Sequence, residues 1–349
     1  MQIAIKTYDY KADIRRKSLL LLVGVFICLF SLIGNILVGP AWLTPIETVS
    51  SLLKLSYVDS ATNVIVWTLR LPTALMAVGV GASLGIAGAG MQTILANPLS
   101  SPYTLGVSAG AGFGAALAIV IGAPAVTFIG PYAVPFSAFI FATLSSLLIY
   151  FIGKARNLTS ETMILSGIGL SFLFQALQSF VQYIASPEDL QSIVFWLFGS
   201  LTRANWFNVS IIFLIVVITL PLMLQDAWKL TALKLGNEKA EGLGIHVEGL
   251  RIKVFIMVSL ITAVAVCFVG TIGFIGLVGP HVARMLVGED QRFFIPLSAI
   301  FGASLLSIAS IISKIIVPGV IFPIGIITAM IGVPFFFSLI LTKKRGYFS

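Results

Sequence analysis

Residues 71–95 read LPTALMAVGVGASLGIAGAGMQTIL, twenty-five consecutive positions without a charged side chain. An α-helix rises 1.5 Å per residue, so this stretch is long enough to cross a hydrocarbon core of about 30 Å. Working outward, comparable apolar runs fall at 18–38, 104–122, 132–152, 162–184, 206–224, 252–272 and 293–313. Two less clean runs occupy 273–287 and 321–341, the first being short and glycine-rich. Ten runs predict an all-α polytopic membrane protein of about ten transmembrane helices. The first run is too long for a signal peptide and no small-residue cleavage site follows it, so it is expected to remain as a span.

Composition agrees with that reading. The 349 residues are 58% hydrophobic and 10% charged, against about 45–50% apolar and about 25% charged in a soluble domain. This excludes an ordinary cytosolic enzyme, a disordered chain and a nucleic-acid reader. The net charge of +8 is scattered through short loops rather than gathered on one face, which is the pattern of a topology signal. Cys28 and Cys267 lie inside apolar runs, so no disulfide framework or thiolate metal site is expected.

Basic residues orient the spans. Lys6, Lys11, Arg15, Arg16 and Lys17 precede the first run, and Lys343, Lys344 and Arg345 follow the last. Both termini are therefore expected in the cytoplasm, which an even number of spans satisfies. Ten spans place 17 of the 21 basic residues inside and leave Lys54, Arg70, Arg203 and Lys314 outside. The expected organisation is a cytoplasmic segment 1–17, one transmembrane domain 18–341 and a cytoplasmic tail 342–349. The long polar loop, about 225–251, falls inside; its Glu238–Leu243 stretch has helical composition, punctuated by Gly242 and Gly244. Such a helix is either a handle for a partner protein or a solvated connector.

Familiar catalytic patterns are missing. The sequence has no G-x-x-x-x-G-K-[ST] phosphate loop, and His246 and His281 have no Cys, Asp or Glu at metal-ligand spacing. The spans are nearly free of ionisable groups, whereas an ion-coupled carrier is expected to place one near the midplane. Energy for any transport is thus expected from a partner. Gly81-x-x-x-Gly85 and Gly106-x-x-x-Gly110 read chiefly as close helix packing, with gating flexibility the alternative. In the fifth span Ser171, Gln175, Gln178 and Gln182 fall on one helix face. They could line a water-filled path or bond between helices.

From Arg70 to Leu341 the chain resembles the permease subunits of ABC importers for iron–siderophore complexes, haem and cobalamin. The resemblance rests on motifs in order: Arg70-Leu71-Pro72, Gly88-Ala89-Gly90-Met91-Gln92-Thr93, Asn97-Pro98-Leu99, Leu105–Gly112, Trp196 with Gly199-Ser200-Leu201, Leu235–Gly244, Gly273–His281, Pro323-Ile324-Gly325 and Gly332–Phe335. It implies ten helices per subunit, in a bacterial or archaeal cytoplasmic membrane. It also implies a second permease, identical or homologous, two ATPase subunits carrying ATP and magnesium, and an extracytoplasmic binding protein. No cofactor is expected on this chain. The cargo implied is a metal chelate, foremost a ferric siderophore, with haem, cobalamin and molybdate as alternatives.

By the same resemblance, Leu235, Gly236, Glu238, Ala240, Gly242, Leu243 and Gly244 form the ATPase-coupling loop. Thr159, Ser160 and Glu161 stand at the inner gate, and Arg70 and Lys314 offer charge to acidic residues of the binding protein; snorkelling at span ends is the plainer reading of that pair. The sequence departs from the family at Thr73, Ala309-Ser310 and Ile321, which puts the docking pattern in question. A self-sufficient secondary transporter or an intramembrane enzyme is the alternative function.

Overall fold

The computed structural model describes residues 10–41, 43–55, 58–122, 130–156, 159–317 and 319–342. Among these residues every regular element is helical. In order they are α1 (Tyr10–Leu37), α2 (Pro45–Leu52), α3 (Ser60–Val64), a π-helical turn (Ile65–Arg70), α4 (Leu71–Ile94), α5 (Val107–Ile121), a short 3₁₀ turn (Gly130–Tyr132), α6 (Ala133–Lys154) and α7 (Ser160–Ile184). There follow α8 (Pro187–Leu197), α9 (Trp206–Gln225), α10 (Ala227–Leu233), α11 (Asn237–Gly242), α12 (Val247–Val269), α13 (Ile275–Val287), α14 (Gln291–Ile315) and α15 (Ile324–Thr342). Seven helical stretches are long and apolar enough to cross a membrane, and α5, α13 and part of α15 are shorter apolar helices. The protein is a multi-pass membrane protein.

The run 71–95 forms the axis of the bundle. Helix α4 continues α3 and the π turn without a break, and 83% of its most apolar window is buried. The π turn lies just before Pro72, which has no N–H to give the preceding turn. Small residues explain the burial. A Cβ on Gly81 would stand 2.4 Å from the Gly302 carbonyl oxygen, and one on Gly88 would stand 1.8 Å from that of Gly276. Helices α13 and α14 therefore press backbone to backbone on α4, as close packing requires. Gly110 similarly meets the Phe141 carbonyl of α6. By contrast, the apolar windows of α1 and α7 are only 22% buried, leaving broad faces for lipid or another chain.

Charge is sorted along the bundle. Arg16 donates to the Leu286 carbonyl (3.0 Å), Lys17 stands 2.7 Å from Asp13, and Lys234 stands 3.5 Å from Glu289. The start of α1, the end of α10 and the α13–α14 turn thus share one end. Lys6, Lys343, Lys344 and Arg345 lie outside the described residues. Helices α2, α3 and α8 are additions to the sequence reading. The first and last begin on Thr44 and Ser186, whose hydroxyls accept from the backbone N–H three residues on, each followed by proline.

Candidate functional site

The polar loop after α9 is built around a short exposed helix. Asp226 starts it, nearly buried, paired with Lys229 (2.8 Å) and with Lys253 of α12. Burial pushes this carboxyl up, but the hydrogen bonds and charges of the two lysines outweigh it and hold the group below its usual range. Helix α10 then leads to Gly236, whose φ of 102° turns the chain into α11. The far end of α11 is a Schellman cap: Ile245 N–H donates to Ala240 O (3.1 Å) and Gly244 N–H to Glu241 O (2.8 Å), with Gly244 at φ 80°. Ala240 and Ile245 face inward, 0% and 6% exposed, and fasten the helix. Leu235 and Leu243 stand outward at 60% and 51%, with exposed Glu238 and Gly242 between them. The seven residues expected at the coupling loop therefore form one knob, anchored by Ala240 and apolar at its two rims.

A chain of polar contacts runs from this knob into the bundle. Lys234, one residue before Leu235, meets Glu289; Glu289 also stands 3.2 Å from Arg284 of α13. Arg284 donates to Gln92 of α4 (2.9 Å) and lies over the Phe294 ring. Burial lowers the Lys234 ammonium, with Glu289 opposing.

Thr159, Ser160 and Glu161 start α7. The Thr159 hydroxyl accepts from Thr162 N–H (3.3 Å), and exposed Glu161 places its negative charge in the first turn, where the helix dipole favours it. Sequence spacing placed Ser171, Gln175, Gln178 and Gln182 on one face of that helix, and the structure divides them. Ser171 bonds to its own helix at Gly167 O (2.8 Å) beside Gly106, and Gln178 packs on Gly112 of α5; Gln175 is exposed and Gln182 half-buried. Half of the stripe is thus helix–helix packing.

A larger cavity lies elsewhere. About 550 Å³ in volume, it is lined by Tyr103, Phe198, Thr271, Phe274, Gly325 and Met330 among others, all of them uncharged. Its wall is made of helix ends: Gly325 N–H donates to Phe198 O (2.9 Å), Ile324 N–H to Gly199 O (3.2 Å), and the Thr271 hydroxyl to Leu197 O. Gly270, at φ 77°, lets the chain pass Trp196 O, which a Cβ would approach to 2.3 Å. Phe274 adopts φ 67°, unusual for a bulky residue, with its side chain against Gly332 of α15. Sequence reasoning missed this wall because it joins four separate segments; the Gly270–Gly273 spacing was its only local sign.

Arg70 and Lys314 require a correction of place. They were expected at an exposed outer rim, yet they are only 4% and 7% exposed. Arg70 donates to the carbonyls of Ile36 (3.2 Å), Leu37 (2.8 Å) and Ala41 (2.6 Å) and to the Thr48 hydroxyl (3.2 Å). Lys314 donates to Asn35 O (2.8 Å), Asn35 Oδ1 and Val38 O (3.2 Å). The open C-terminal carbonyls of α1 take up both cations, because a helix end leaves four acceptors unpaired.

A glycine-packed bundle of apolar helices with an uncharged cavity walled by helix ends fits a multi-pass membrane transport protein. The chain belongs to the FecCD transport family, whose profile matches residues 25–342. It is 38% identical to an ABC transporter permease protein of Methanocaldococcus jannaschii, over 96% of this chain and 98% of that one. It is 36% identical to an Fe(3+)-citrate import system permease protein of Bacillus subtilis, over 93% and 95%. Among solved structures, a metal-chelate type ABC transporter in an inward-facing conformation superposes with a TM-score of 0.79 at 29% identity, covering 94% of this chain and all of that one.

Proposed function

We propose that this chain is the permease subunit of an ABC importer for a metal chelate, foremost a ferric siderophore or related ferric complex. It works with a second permease, two ATPase subunits that bind ATP and magnesium, and an extracytoplasmic binding protein. Ten spans with both termini in the cytoplasm complete this reading, supported by the gathering of Arg16, Lys17, Lys234, Arg284 and Arg292 at the end that carries α11. The chain itself performs no bond chemistry.

The observation that carries the proposal is the α11 knob: a helix fixed by its own cap, presenting Leu235 and Leu243 at a polar end where membrane lipid offers them no cover. A groove on an ATPase subunit is the fitting receptor for a helix of this kind. Movement of α11 would pass through Lys234 and Glu289 to Arg284, and so to α13, whose first turn helps line the 550 Å³ cavity. The inner-gate role of Thr159, Ser160 and Glu161 belongs to the same proposal, as does a path along the exposed part of the Gln175–Gln182 face. An uncharged lining with scattered hydroxyls suits passage of a bulky shielded complex without tight retention.

Reconstitution tests this directly. Proteoliposomes holding the chain, its ATPase and its binding protein are expected to take up radio-iron chelate only with internal ATP–Mg. Uptake by the chain alone, driven by an ion gradient, would instead support a secondary transporter.

A further inference from the structure

Two cavities lined by α6, α9 and α12, remote from α11, join at a common seam. The first, about 330 Å³, is a groove between α6, α9 and α12, lined by Phe136, Phe139, Phe207, Ile211 and Val264 and almost without polar surface. The second, about 440 Å³, contains Ser192, Arg203, Asn205 and Asn208. Both include Tyr132, Cys267 and Phe268, so one opens onto the other. Tyr132 and Phe207 stand edge to face across the groove, their ring centres 5.4 Å apart.

The polar cavity holds an unmet hydrogen-bond demand. Asn208 is 6% exposed; its side-chain amide donates to Arg203 O (3.4 Å), but its Oδ1 is buried with no partner. A buried acceptor left unpaired costs about 1–3 kcal/mol, so its position calls for a donor. Arg203 is exposed at the mouth of the same cavity, and no polar contact to its guanidinium is found among the described residues. Close by, the Trp206 indole donates to Trp67 O (3.1 Å), and the two indoles stand 6.4 Å apart. Trp and Tyr are the residue types enriched at the headgroup level of a bilayer, and Tyr132 lines both cavities.

We propose that this double cavity is a specific phospholipid seat: one acyl chain in the Phe136–Phe139–Ile211 groove, the phosphate at Arg203, and a headgroup hydroxyl or ammonium donating to Asn208 Oδ1. The shape distinguishes it from ordinary annular contact. The smooth exposed face of α1, with Leu22, Phe26 and Phe30, offers apolar surface without a cation or an open acceptor. Here concavity, charge and an unpaired oxygen coincide within one turn of three helices. The seat joins α6 to α9 and α12 across a gap that no side chain fills, so its lipid acts as a packing element of the outer rim.

The test uses the full chain in nanodiscs containing phosphatidylglycerol with a photoreactive diazirine midway along one acyl chain, followed by peptide mapping. Labelling is expected at 132–139, 207–211 and 264–268 at least fivefold above that at Leu22, Phe26 and Phe30. Arg203→Ala and the groove-filling Ile211→Trp are each expected to reduce it to the α1 level. Equal labelling of α1 and the groove would overturn the proposal in favour of annular lipid, and so would labelling unchanged by Arg203→Ala. Suppression of labelling by inorganic phosphate would mean that the polar cavity takes a free anion, and would overturn it as well. If Ile211→Trp does not fold, the ratio measured in the unaltered chain decides alone.

Discussion

Arg70 and Lys314 meet at the same helix end: Lys314 takes the carbonyls of Asn35 and Val38, and Arg70 those of Ile36 and Leu37. Two cations on different spans thus cap consecutive acceptors of α1, with the Asn35 amide bonding Ser307 and Ser310 of α14 beneath them. Such contacts hold the end of α1 to the start of α4 and to α14. Arg70→Leu and Lys314→Leu are each expected to cost about 2–4 kcal/mol, since several buried carbonyls lose their donor. Thermal unfolding of the purified chain measures this. An unchanged midpoint with selective loss of binding-protein association would return the pair to a docking role.

Gly242 separates folding from coupling. A Cβ there meets nothing within 4 Å, and Gly242 stands in a regular helical turn. Gly242→Leu is therefore expected to leave the melting point unchanged or slightly raised, since glycine costs a helix about 1 kcal/mol. ATPase co-purification is expected to fall at least tenfold. Normal association of that variant would remove α11 from the coupling surface.

Gly88 and Gly169 make a paired test of helix packing. A Cβ on Gly88 would lie within the Gly276 carbonyl, whereas one on Gly169 meets open space. Gly88→Val is expected to abolish the monodisperse protein, the α4–α13 contact being unable to give way without more than about 3 kcal/mol of strain. Gly169→Ala is expected to be neutral within about 0.5 kcal/mol. Size-exclusion profiles of the two variants read the difference.

Acid sensitivity follows from Asp226 and Asp290. The hydrogen bond from Arg292 holds Asp290 below its ordinary value of 3.8, and the lysine pair does the same for Asp226 against its burial. A carboxylate depressed in the folded state stabilises above the unfolded pKa and loses that contribution as pH falls through the folded value. Melting points are therefore expected to hold steady above pH about 5 and to decline below about 4. Asp226→Asn is expected to lower stability at neutral pH and flatten part of that decline.

The cavity wall gives a transport-specific variant. Ala329 of α15 faces the 550 Å³ space beside Met330. Ala329→Trp is expected to preserve ATPase association and cut chelate uptake severely, as uptake against ATP hydrolysis in proteoliposomes would show. Equal uptake would place the path elsewhere.

How much of this was legible in the sequence depended on distance along the chain. The apolar runs marked α4, α6, α7, α9 and α14 to within two residues, because an uninterrupted apolar stretch of about twenty residues is a local pattern, whereas α1 and α12 begin earlier, in their charged first turns. Helix α8 was missed although Ser186, Pro187, Glu188 and Asp189 are a good helix start, since its eleven residues are too short to stand out as a span. The glycines of α4 were read correctly as packing surfaces, but their partners, Gly276 and Gly302, lie some two hundred residues away. The burial of Arg70 and Lys314 was not legible for a physical reason: a basic residue at the end of an apolar run reads identically whether it reaches solvent or turns inward to cap a neighbouring helix. The cavity wall left no more than the Gly270–Gly273 spacing as a linear sign, since Tyr103, Phe198, Phe274 and Met330 come from four segments.

The decisive measurement is affinity capture of the tagged, detergent-solubilised chain from its native membrane, with quantitative mass spectrometry of what accompanies it. A permease subunit should bring down an ABC ATPase in equal amount, together with a second permease copy or homologue, and lose the ATPase when Gly242 is leucine. A partner-free oligomer that still moves a chelate in liposomes would contradict the importer assignment.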